Sequence, residues 1–184
     1  PAVLAGAVWA DPGWPGLAGL DVLGPEVAVP EAIPVAAIED YDAARIACGV
    51  PALGRELTER TIPAEAGRWL IGVSVSFTKG CYTGQELVAR LEARGSNVAR
   101  RLRHVRLGDG PVPPPGAAVS VDGAEVGVLT SVAARPGGRP VALAYVARSV
   151  VPPALGHVSW DGGGVPALVA ALPGDADGDA AGAT

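Results

Sequence analysis

The rhythm of apolar and polar positions changes near residue 97. Beyond it, apolar residues recur at every second position over Leu102–Leu107, Ala117–Val121, Glu125–Val132, Pro140–Val146 and Gly156–Trp160, with Val165–Ala171 as a further candidate. A period of two puts alternate side chains on one face, so each run predicts a short strand. Turn residues separate the runs: Gly108–Gly116, Asp122-Gly123 and Pro136–Gly138. Short strands at this spacing predict a small antiparallel β-barrel over 98–172.

Before residue 97 the pattern is mixed. Pro1–Trp9 and Leu20–Val29 read as strands around the turn-rich Asp11–Gly16. Ile38, Tyr41, Ala44 and Arg45 fall at helical spacing, so Ala37–Cys48 reads as a helix stopped by Gly49 and Pro51. Pro63 can open a helix over Ala64–Leu70, because a missing N–H costs nothing in the first turn. Val73, Val75 and Phe77 alternate with Ser74 and Ser76 and read as a strand. Gln85–Ala93 reads as a helix ended by Gly95, with Thr83 and Glu86 at capping-box spacing. The expected fold is α+β: a body over 1–97, then the barrel, then a disordered acidic tail over 173–184.

Composition sharpens this in two places. Two cysteines, Cys48 and Cys81, make no disulfide framework and cannot supply four cluster thiolates. His104 and His157 have no ligand-like spacing to either, so no metal site is expected. No apolar run approaches a membrane span and no signal-peptide pattern is visible, which points to the cytoplasm. The chain begins at Pro1 with strands short of partners, so an N-terminal truncation is expected. The net charge of -5 hides an asymmetry: seven acids precede Arg45, whereas Arg90, Arg94, Arg100, Arg101, Arg103 and Arg106 cluster. That cluster is either a solvated face or an attraction for a polyanion such as RNA; no aromatic interleaving supports the latter. Cys48 reads as core and His104 as part of a solvated face.

The second place is a lone lysine. Of the 14 Lys+Arg residues, only Lys79 is Lys, and it lies in Lys79-Gly80-Cys81-Tyr82-Thr83-Gly84-Gln85-Glu86. Lys is a compact ammonium and is not interchangeable with Arg. If the strand persists to Cys81, Lys79 and Cys81 share a face, beside the start of the next helix. An ammonium and a helix N-terminus both favour thiolate, so Cys81 reads as a reactive, ligand-adjacent thiol. Competing readings stay open: Cys81 as a small buried hydrophobe, Tyr82 as packing, Gln85 as solvated. Glu86 can serve as a cap and as an ion-pair partner four residues before Arg90.

The run from Lys79 to Glu86, continued by Leu87-Val88-Ala89-Arg90, resembles the signature of the YgfZ family, folate-binding relatives of the glycine-cleavage T-protein (aminomethyltransferase). Arg45–Pro51, Thr61–Glu65, Gly127–Ser131 and Leu143–Val146 resemble further family segments in the same order. The resemblance implies the later part of a T-protein-like folate-binding body followed by the barrel. It implies tetrahydrofolate as cofactor and iron–sulfur proteins as clients, with Cys81 and Lys79 as the reactive pair. Tyr82, Gln85, Glu86 and Arg90 would contact the cofactor. A folate-dependent one-carbon transferase and a non-enzymatic RNA- or protein-binding module are the alternatives.

Overall fold

In this computed structural model, residues 7–93, 97–135 and 138–175 are described. The C-terminal half is a closed six-stranded barrel in which every neighbouring pair is antiparallel. Its strands are β3 (Arg100–Leu107), β4 (Ala118–Val121), β5 (Ala124–Arg135), β6 (Gly138–Ala147), β7 (Ala154–Trp160) and β8 (Gly163–Ala170), in the order β3-β6-β5-β4-β7-β8. All six were legible as alternating runs. Closure leaves no sheet edge unpaired.

The barrel carries two cores because β6 is covered on both sides. Ala142, Ala144 and Val146 join Val105, Leu107, Val119, Leu129, Val158, Val165 and Val169 in one cluster. Val141, Leu143 and Tyr145, on the other face, join Leu102 and Leu172 against helix α1 (Ile38–Ala47) through Ala43 and Ile46. Glu39 and Asp40 lie in the first turn of α1, where carboxylates favour the positive end of the helix dipole. Asp40 Oδ2 also accepts from the Ala37 N–H at 3.2 Å. The helix ends at Gly49, whose φ of 73° suits glycine and whose added Cβ would meet Pro173 at 2.8 Å.

The N-terminal strands are shorter than the sequence suggests. β1 (Val8–Ala10) and β2 (Asp21–Leu23) form a two-stranded antiparallel ribbon; residues 1–6 of the first predicted strand lie outside the described residues. The expected helix over Ala64–Leu70 is instead a single 3-10 turn, Pro63–Glu65, followed by α2 (Arg68–Ser74). The predicted strand Val73–Phe77 does not form. Its alternation is too short to outweigh the apolar turn Trp69-Leu70-Ile71, and it has no partner strand. α3 spans Gln85–Ala93 as expected; its predicted stop at Gly95, and Arg94, lie outside the described residues.

Asp175 corrects the expectation of a disordered tail from residue 173. Residues 173–175 form a turn, and Asp175 is buried with its Oδ1 accepting from the Arg68 N–H at 2.7 Å. The C-terminal segment thus caps α2. Residues 176–184 lie outside the described residues. His104 is a second correction: it is buried in β3, not on a solvated face, because the outer side of that strand is covered at Leu102 and His104 and opens at Arg106.

Candidate functional site

The motif begins where α2 stops. Val75 turns extended, residues 77–80 form bends, and the Lys79 N–H donates to Ser76 Oγ at 3.2 Å. Gly84, at a φ of 85°, turns the chain into α3, and its carbonyl accepts from the Val88 N–H at 3.3 Å. The junction is therefore bend to helix. The strand geometry expected to align Lys79 with Cys81 is absent.

Each expected site residue can be placed. Lys79 and Cys81 are both exposed, and Cys81 is a free thiol. The Lys79 ammonium lies 4.8 Å from the centre of the Tyr82 ring, a cation–π distance. Its described contact is thus with the aromatic face. Gln85 and Tyr82 are half-buried. Glu86 and Arg90 are exposed and form the i,i+4 ion pair expected from the sequence. Such a pair holds both side chains on one face of α3 without much stabilisation.

The arginine cluster does not form one strip. Arg90 pairs with Glu86, and Arg100 pairs with Glu65 at 3.1 Å while lying 4.3 Å from the Tyr145 ring centre. Arg103 is buried in β3 and Arg106 is exposed on the outer wall. Cys48 is buried as expected, and burial pushes its thiol pKa up.

Sequence reasoning missed a buried polar knot beneath α1. Arg45 Nη1 donates to Glu56 Oε2 at 3.2 Å and to the Val50 carbonyl at 2.8 Å. Arg45 Nη2 donates to Ser131 Oγ at 3.1 Å, and that hydroxyl donates to Glu56 Oε1 at 2.6 Å. The Tyr145 hydroxyl donates to the Glu56 carbonyl at 3.0 Å. Burial opposes ionisation of Asp42, but hydrogen bonds and charge from Arg45 and Arg55 prevail and hold its carboxyl below the usual value. The knot ties α1 and the following loop to β5 and β6. Arg45 was visible in the Arg45–Pro51 segment; its partners Glu56, Ser131 and Tyr145 carried no local signal.

No motif residue lines a groove of about 800 Å³ across the outer barrel wall. No three His, Cys, Asp or Glu side chains converge as a metal site among the described residues. No helix there is long and apolar enough to cross a membrane.

No family model matches the chain. It is 33% identical over 143 residues to a chloroplastic protein of Arabidopsis thaliana assigned to the transferases by inference, covering 77% of this chain and 31% of that protein. It is 46% identical over 59 residues to the tRNA-modifying protein YgfZ of Hamiltonella defensa, covering 32% of this chain and 17% of the relative. The glycine cleavage system aminomethyltransferase T of Bartonella henselae superposes with a TM-score of 0.54 at 20% identity, over 72% of this chain and 37% of that one. That likeness establishes the fold: a T-protein-like body with its barrel. The chain spans less than a third of the length of these two curated relatives.

Proposed function

The chain is a relative of the YgfZ proteins, and on that premise we propose that it forms part of a folate-binding accessory protein for iron–sulfur cluster assembly or repair in the cytoplasm. Tetrahydrofolate would supply a carrier for one-carbon units. The residues fit such a ligand as one wall of a site. Tyr82 offers a ring face, Gln85 an amide, and Glu86 and Arg90 opposite charges on the same side of α3. Lys79 and Cys81 stand at the edge of that wall, open to a ligand or client. The observation that carries the reading is the exposure of Lys79, Cys81, Glu86 and Arg90 along one short segment, outside both core clusters.

A second reading is transfer of a one-carbon group. It is favoured by the transferase and tRNA-modifying names carried by two relatives. Calorimetric titration of tetrahydrofolate into the chain and its variants tests this wall. Binding that weakens in Tyr82→Ala and Gln85→Ala supports the reading. Loss of a cluster enzyme's activity in cells carrying Cys81→Ser and Lys79→Ala supports the accessory role. Full affinity and full activity in all four variants would remove it.

A further inference from the structure

The groove away from the motif has a definite chemistry. It crosses the outer faces of four adjacent strands, β6, β3, β8 and β7. Arg106 pairs in register with Val141 on one side and Leu168 on the other, and Leu168 pairs with Leu155. These four positions form a row across the wall. The end of α1, at Ala47, and the segment Ala171–Pro173 close the groove.

Among the described residues its lining contains no carboxylate, although the chain has 19 acids and a net charge of -5. The charged groups are Arg106 and Arg139. Arg139 is paired with Asp109 at 2.9 Å, from an adjoining recess of about 400 Å³. Arg106 is exposed and forms no ion pair among the described residues. The remaining lining is mostly Leu, Val, Ala and Pro, and its one aromatic ring, His104, is buried. Leu155, on the rim, is 80% exposed. An uncompensated guanidinium beside aliphatic surface suits an anion with an apolar body. A flat ring would find no exposed ring to stack on; a saturated chain would find complementary walls.

We propose that this groove is a second binding site, taking an amphipathic anion with a carboxylate or phosphate head at Arg106 and a short aliphatic body across Leu155 and Leu168. It is independent of the folate reading, since none of the motif residues lines it.

The test is titration of the 184-residue chain with octanoate, octyl phosphate, 1-octanol and inorganic phosphate, followed by calorimetry and NMR. Octanoate and octyl phosphate are expected to bind at one site, and their ratio identifies the preferred head group. Arg106→Glu is expected to weaken both about tenfold or more, as loss of a charge-assisted hydrogen bond implies. Leu155→Glu, an exposed change that leaves the core intact, is expected to do the same. Arg106→Lys should recover part of the loss. Equal binding of 1-octanol, equal binding of inorganic phosphate, or unchanged affinity in Leu155→Glu overturns the proposal. So does displacement of octanoate by tetrahydrofolate, which would merge the two sites.

Discussion

Arg45 and Glu56 meet at 3.2 Å with 3% and 0% of their side chains exposed, the most deeply buried ion pair described in the fold. The remaining lone pairs and protons of both are met by Asp42, Ser131, Val50 and the Ala52 N–H. Attraction in the interior offsets desolvation only when such satisfaction is near complete. Removing one member leaves the other charged and dry.

Arg45→Ala is therefore expected to cost about 3–5 kcal/mol, measured as a shift of the urea midpoint at constant slope. The double variant Arg45→Met with Glu56→Leu is expected to recover much of that loss, because it removes both charges and keeps volume. A single variant milder than the double one would show that the pair is not the clasp between α1 and the barrel.

That clasp marks where the sequence stopped being readable. Period-two runs and Gly/Pro turns disclosed the barrel, and α1 and α3 emerged nearly to the residue, since the signals are local. Ser131 lies 86 positions from Arg45, so no spacing links them. His104 was misplaced because alternation implies one wet face, whereas the outer face of β3 is covered at Leu102 and His104 and open at Arg106. At the motif the residue types were legible but their geometry was not. A strand read into Val73–Phe77 put Lys79 beside Cys81; the bend that replaces it sets the ammonium over Tyr82.

Tyr145 gives the knot a pH signature. Burial chiefly, with the charges of Glu65 and Glu56, pushes its pKa from an ordinary 10.0 to about 12, against opposing effects of Thr61 and Arg100. A raised acid pKa means that the folded state favours the neutral hydroxyl. Its contribution is complete below pH 10.0 and is lost as pH rises towards about 12. Thermal unfolding followed from pH 8 to 12 should show stability falling in that window by an amount on the order of 2 kcal/mol. Tyr145→Phe should flatten the fall and cost about 1 kcal/mol at neutral pH through the lost bond to the Glu56 carbonyl. An equally steep fall in Tyr145→Phe would assign the alkaline loss to other groups.

Asp175 holds α2 from outside the body. Gly67, at a φ of 107°, lets the carboxylate approach; a Cβ there would meet Leu172 at 2.9 Å and Asp175 at 3.0 Å. Asp175→Ala is expected to destabilise the chain by about 1 kcal/mol, the usual value of a lost N-cap, and to speed proteolysis near Arg68. Gly67→Ala should act in the same direction and more strongly, through both sterics and backbone strain. Unchanged protection of α2 against hydrogen exchange in Asp175→Ala would rule out the cap.

The two thiols should separate cleanly. Cys81 is exposed on the bend before α3, whereas Cys48 is buried at the end of α1 with its pKa raised by burial. Reaction requires both access and thiolate, and Cys48 lacks each in the native state. One equivalent of an aromatic disulfide reagent should react rapidly with the folded chain at pH 8, and a second should follow only on unfolding. Cys81→Ser should abolish the fast phase. Lys79 sits over Tyr82, held by attraction to the ring face, and Tyr82→Leu frees the ammonium to swing towards the sulfur. Tyr82→Leu is accordingly expected to raise the Cys81 rate at fixed pH, and Lys79→Ala to cancel that gain. A Cys81 rate indifferent to both changes would mean that the lone lysine serves the aromatic ring and has no electrostatic influence on the thiol two residues away.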